Sequence, residues 1–275
     1  MKHLTFFVLL IIILLASCNH NDTPDESIEY WNCEQLIDTT GLNLYPFEPL
    51  TKLITGDTYK KIVEQRQIPE DFLHEMTTKA LFYQFLYCEL TRFIFTWFSP
   101  NILNIQGSFE EAKKQLNMVS ELLNRPDAGH VLLGILQKVD PLYLSDKYSS
   151  LGYDDDWYCT DVNDYMQIIL AQLKIISRMT EKEIDLYIRE QLRCHDVIQH
   201  LCETNTPYHR YPGSVTRILF GLGNVMIRYE FEPFMQLLET NAHCRSLMKM
   251  AMISNDKQTA LLIMDCVIKF KNRKK

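Results

Sequence analysis

Apolar residues recur along this chain at helical spacing. Val162, Tyr165, Met166, Ile169, Leu170, Leu173 and Ile176 follow an i, i+3, i+4, i+7 rhythm. That rhythm puts them on one face of a helix, opened by Thr160 or Asp161. Ile184, Tyr187, Ile188, Cys194, Ile198 and Cys202 form a second stripe, on a helix opened by Thr180-Glu181-Lys182-Glu183. In that pattern the threonine hydroxyl takes an orphan amide and the glutamate reaches back to the cap. Ser108-Phe109-Glu110-Glu111 repeats the pattern and predicts a helix to Leu123. Gly56 ends one short helix and Asp57 caps the next. Ile68-Pro69-Glu70-Asp71 reads as another start, with proline at the first turn and acids at the positive dipole end. Thr77 or Thr78 caps a helix, and Asp127 opens one to Val139.

Ala80 to Phe98 is the greasiest stretch beyond the N-terminus, with fourteen of nineteen residues apolar or aromatic. Glu89 and Arg92 sit in its middle, and each costs a few kcal/mol at bilayer depth. The stretch therefore predicts a buried central helix, or two broken near Cys88, and not a membrane span. Ser214 caps a helix to Tyr229 that contains Gly221 and Gly223. Each glycine weakens a helix relative to alanine, so both mark close approach by a neighbour. Shorter helices follow over Glu232–Glu239 and Asn241–Ile253, then a longer one over Asp256–Lys271. The fold class is all-α: about ten helices in loose antiparallel pairs, stacked irregularly like a solenoid, with no fixed repeat. Only 9 glycines and 10 prolines in 275 residues favour long regular elements over a turn-rich β fold.

The N-terminus reads differently. Lys2 precedes an apolar run, Leu4 to Ala16, that is too short for the ~20 residues of a bilayer span. A basic start, a short apolar core and small residues before a break describe a secretory signal. Leu15-Ala16-Ser17-Cys18 resembles the lipobox of bacterial lipoproteins. The resemblance implies diacylglycerol on the Cys18 thiol, cleavage before it and acylation of the new N-terminus. The chain then divides into a signal peptide (1–17), a lipidated cysteine with a polar, flexible tether (18–46) and a helical domain (47–275). Asn19 is not the aspartate that holds some lipoproteins at the inner membrane, so the expected address is the outer membrane, with the face left open. A second resemblance rests on Ile68-Pro69-Glu70, Thr77-Thr78-Lys79-Ala80-Leu81 and Glu121 through Gly129. These residues are similar to a helical segment of bacterial exported lipoproteins that carries no assigned activity, so nothing catalytic transfers.

A formal charge of −7 makes nucleic acid a poor partner and gives the body no general pull toward anionic headgroups. Membrane residence is expected from the lipid. Of eight cysteines, lipidation takes Cys18 and leaves an odd number. Four of those fall at apolar helical positions, and Cys33 with Cys159 is the one pair to consider bridged. His74-Glu75 lacks the second histidine of a zinc-protease helix, since position 78 is threonine. Cys194, His195, His200 and Cys202 spread over ~12 Å of helix, too far to close a tetrahedral site unaided. No metal and no cofactor is expected.

Two loops carry the binding candidates. Residues 145–160 contain Tyr153-Asp154-Asp155-Asp156-Trp157-Tyr158. Their carboxylates lack the glycine-turn spacing of a calcium loop, while the aromatics could stack on a sugar ring or a peptide. In the second loop, His209 and Arg210 precede a helix start and suit an anion. No nucleophile elbow, Walker loop or dinucleotide fingerprint is present. These features point to a membrane-anchored envelope protein that binds or scaffolds protein or glycan. The alternative is an envelope hydrolase with a site assembled between helices.

Overall fold

The structure is a computed structural model, and it describes residues 29–50, 54–97, 105–140, 164–204, 211–249 and 257–273. Residues 31–275 form one compact unit. Its described residues are all-α. Apart from the helices they contain a single backbone bridge, between Trp31 and Val139. The helices are α1 (Cys33–Ile37), α2 (Gly56–Gln65), α3 (Glu70–Glu75), α4 (Thr78–Tyr87), α5 (Glu89–Trp97), α6 (Ile105–Gln115), α7 (Asn117–Asn124) and α8 (Ala128–Leu136). They continue with α9 (164–170), α10 (Leu173–Ile176), α11 (Glu181–Thr204), α12 (Tyr211–Arg228), α13 (Glu232–Thr240), α14 (Ala242–Met248) and α15 (Lys257–Arg273).

Two helices are buried almost all round, and the others pack on them. In α4 every residue from Ala80 to Leu86 is buried. In α12 the same holds for residues 215–226. Helices without a solvent face belong at the centre of a layered body. Accordingly α4 touches α5, α7 and α8, while α12 touches α10, α11, α13, α14 and α15. α10 also reaches α7 and α8, α11 reaches α8, and one hydrophobic core runs through both groups. These contacts describe two hubs. A row of stacked antiparallel pairs is a step further than they go.

Several boundaries differ from the sequence reading, each for a local reason. Ser108 does not open a helix: α6 starts at Ile105, and the Ser108 side chain is buried inside it. The helix expected to reach Leu123 breaks at Leu116. There Gln67 Nε2 takes the Gln115 carbonyl at 2.7 Å, and the Asn117 amide pairs with both backbone groups of Ile68. Gly56 begins α2 and does not end a helix before it. The stripe from Tyr165 to Ile176 is split at Ala171–Gln172, because Asn224 Nδ2 from α12 takes the Ala171 carbonyl at 2.9 Å. α12 itself begins at Tyr211, three residues before Ser214.

Packing also extends upstream of the boundary drawn at residue 47. Leu36 is fully buried. Tyr83 and Tyr87 donate their hydroxyls to the carbonyls of Leu36 and Ile37, at 2.5 and 2.7 Å. Gln84 clamps both backbone groups of Tyr45. The Trp31 amide donates to the Lys138 carbonyl at 2.9 Å.

Helix C-termini leave carbonyls without partners, and glycine in the left-handed conformation is the usual remedy. This chain is poor in glycine, and arginines reach across to do the work. Arg125 donates to the carbonyls of Leu73 and His74 at the end of α3. Arg178 donates to those of Leu123 and Asn124 at the end of α7. Arg228 holds Ile176 and Met179, at 2.6 and 2.9 Å, beyond α10. Arg245 holds Leu238 and Glu239, at 2.8 and 2.6 Å, near the end of α13. The guanidinium fork carries two donors and a positive charge to the negative end of each dipole.

Candidate functional site

A group of buried polar side chains lies on α11 and α12, which pack against each other, with α9 joined to α12 through Asp164. Thr180 opens α11 by the reciprocal cap the sequence predicts: its hydroxyl accepts from the Glu183 amide at 3.3 Å, and Glu183 Oε2 accepts from the Thr180 amide at 2.8 Å. That start fixes which residues face inward. Tyr187, Glu190, Gln191, Cys194 and His195 follow at i, i+3, i+4, i+7 and i+8, and all are buried. The face is polar halfway along, where a hydrophobic stripe would be expected.

Glu190 is 1% exposed, and its carboxylate is held by Arg193 Nε at 2.7 Å and approached by Arg189 Nε at 3.7 Å. A buried carboxylate without such partners would be very costly. On the opposite wall Arg217, also buried, pairs with Asp164 of α9. Gln191 is fully buried, yet neither its amide nitrogen nor its amide oxygen finds a partner among the described residues. The Tyr187 hydroxyl is likewise buried and unpaired. It lies against Gly221 of α12, where an added Cβ would stand 2.1 Å from the hydroxyl oxygen. Gly221 therefore allows the close helix approach that its position in the sequence suggests.

The chemistry open to this seam is narrow. Burial pushes the Cys194 thiol up to about 12, with the nearby Glu190 and Asp140 charges acting in the same direction and Arg193 opposing. Burial also raises the Tyr187 hydroxyl. Both groups stay protonated at neutral pH, so neither is a nucleophile or a base there. Cys88, on the other side of the body, is raised by burial as well. Of its ion pairs, Arg217–Asp164 joins α12 to α9, while the two that hold Glu190 lie within α11.

A second buried cation, Arg66, ties the lead-in to the body. It donates to the Glu48 carbonyl at 2.9 Å, lies 3.3 Å from Glu89 and sits over the Phe47 ring at 5.0 Å.

Residues proposed from sequence fall elsewhere. Cys18, Tyr153, Asp154, Asp155, Asp156, Trp157, Tyr158, His209 and Arg210 all lie outside the described residues. Among the described residues, no group of three His, Cys, Asp or Glu is placed to hold a metal. His74 is exposed, 3.6 Å from Glu121. Cys88, Cys194, Cys244 and Cys266 are buried free thiols. Sequence reading passed over Glu190 and Gln191, although both sit on the stripe between Tyr187 and Cys194. The signal was a pair of polar residues at positions reserved for the core.

No protein family, curated protein or solved structure matches this chain.

Proposed function

We propose that the protein is a bacterial cell-envelope lipoprotein, held in the outer membrane by acyl chains on Cys18. Its helical body acts as a binding or scaffold module for an envelope protein or glycan. The observation that carries this reading is Leu15-Ala16-Ser17-Cys18 directly after a short apolar run with a basic start. One acyl chain anchors only weakly, and a multiply acylated cysteine suffices for stable residence. Among the described residues no helix is long and apolar enough to cross a membrane. The ionisable groups of the seam are ion-paired (Glu190, Arg217) or held protonated by burial (Tyr187, Cys194), which favours a binding role over catalysis by those residues.

Intact-mass analysis of the mature protein tests the anchor. The expected result is an N-terminal cysteine at position 18 carrying acyl mass, abolished in Cys18→Ser. An unacylated mature chain would remove the anchor reading. For the binding role, Trp157→Ala with Tyr158→Ala is expected to weaken retention on detergent-washed envelope fractions while leaving the circular dichroism spectrum unchanged.

A further inference from the structure

The C-terminal helix α15 buries one apolar face and leaves further aliphatic side chains exposed. Thr259, Ile263, Cys266, Val267 and Phe270 are buried against the body, with the Phe270 ring 5.2 Å from Tyr229 and 5.3 Å from Phe231. On the opposite face Leu261 and Ile268, seven residues apart, are 59% and 52% exposed, and Leu262, on the flank of the helix, is 39% exposed. Among the described residues only two other large hydrophobics are exposed, and neither shares a helix with the other.

Charge on this segment runs against the rest of the chain. Residues 257–275 hold six basic residues (Lys257, Lys269, Lys271, Arg273, Lys274 and Lys275) and one acid, Asp265, in a protein of formal charge −7. Asp265 is paired with Lys269 at 2.6 Å. Basic residues at a helix C-terminus complement the dipole, but that accounts for the last turn alone. It does not account for three exposed aliphatic side chains on the same helix. A net negative charge averages over this basic end and hides it.

We propose that the outward face of α15 lies on an anionic phospholipid surface, with Leu261 and Ile268 in the headgroup boundary and Lys257 and Lys271 on lipid phosphates. A helix fixed to a body by one face and carrying aliphatic residues and lysines on the other has the pattern of an in-plane interfacial helix. Its charge is complementary to acidic lipid, and like charge on two facing copies of α15 disfavours a symmetric dimer through this helix as the occupant. The proposal depends on the lipid-anchor reading only to bring the helix within reach of a bilayer. It adds an orientation: the body lies against the membrane and does not swing free on its tether.

The test uses the full chain reconstituted with phosphatidylcholine vesicles, with or without about 30% phosphatidylglycerol. p-Benzoylphenylalanine replaces Leu261 in one sample and Arg189, an exposed α11 residue, in the other. Vesicle flotation reports the N-terminal anchor, and lipid adducts found by mass spectrometry after illumination report the helix. The expected result is lipid labelling from position 261, several-fold stronger on anionic vesicles and at background from position 189. Each surface lysine contributes about fivefold to anionic binding, so Lys257→Gln with Lys271→Gln is expected to lower labelling by about 25-fold. Floating protein without lipid adducts at 261 overturns the proposal and leaves the anchor standing. Adducts to a second protein chain, or equal labelling at 261 and 189, also overturn it. Failure to float rejects the anchor separately.

Discussion

Replacing Gly221 with alanine probes how closely α11 and α12 pack. An added Cβ would meet the Tyr187 hydroxyl oxygen at 2.1 Å, its Cζ at 3.2 Å and the Ala171 Cβ at 3.5 Å. Tyr187 is fully buried, so its ring has little room to yield. Overpacking of this severity costs about 3 kcal/mol, the upper end of the usual range. Alanine returns about 1 kcal/mol of helix propensity. Gly221→Ala is therefore expected to destabilise by about 2 kcal/mol. Tyr187→Phe removes the offending oxygen together with a buried, unpaired hydroxyl, and on its own is expected to be neutral or mildly stabilising. In that background the nearest atom to the new Cβ is the ring carbon at 3.2 Å, a contact that a few tenths of an ångström relieves. The double variant should then fall close to wild type, giving a coupling of about 2 kcal/mol in a double-mutant cycle. Urea unfolding of the four proteins, followed by far-ultraviolet circular dichroism, measures it. If Gly221→Ala stabilised the wild-type background, or if the two changes were additive, the close approach of these helices would be refuted.

Further outcomes follow from the same packing. Gln191→Met replaces an amide that has no partner at either end with an apolar group of similar size, and is expected to stabilise by about 1–3 kcal/mol. A loss of stability in urea would mean that the amide is hydrogen-bonded. The Cys194 thiol ionises near 9 when unfolded and near 12 when folded. Its contribution is intact below pH 9 and is lost as pH rises toward 12, at about 1.4 kcal/mol per pH unit. Cys194→Ala should flatten the alkaline fall in the urea midpoint, and an unchanged slope would show the thiol to be exposed. Arg228→Lys keeps the charge but cannot hold both the Ile176 and Met179 carbonyls, and should cost about 1–2 kcal/mol by thermal unfolding. No shift in midpoint would mean that those carbonyls are otherwise satisfied.

What the sequence made legible was local. The Ala80–Phe98 stretch resolves into α4 and α5 with Cys88 between them, and the exposed Glu89 begins the second helix. Thr180 and Glu183 cap α11 within one turn. Asn241 caps α14, its side chain accepting from the Cys244 amide at 2.9 Å. What stayed hidden was set by residues far along the chain. The break after α9 depends on Asn224, 53 positions away. The Ser108 pattern satisfied a local rule, but the serine is itself fully buried inside α6, which starts three residues earlier at Ile105. The paired charges of the seam were masked because Glu190 and Arg217 read as surface residues until their partners are seen. For the candidate ligand residues, composition alone singled out Tyr153 to Tyr158, His209 and Arg210, and they remain proposals.

The arginine clasps at the ends of α3, α7, α10 and α13 bear on how the chain reaches its final form. Each clasp joins a helix too short to persist alone in water to a guanidinium supplied by another segment. Such a helix is complete only once its donor has arrived. The elements should therefore assemble together and not in sequence, and amide exchange in these short helices should track global opening and not local fraying.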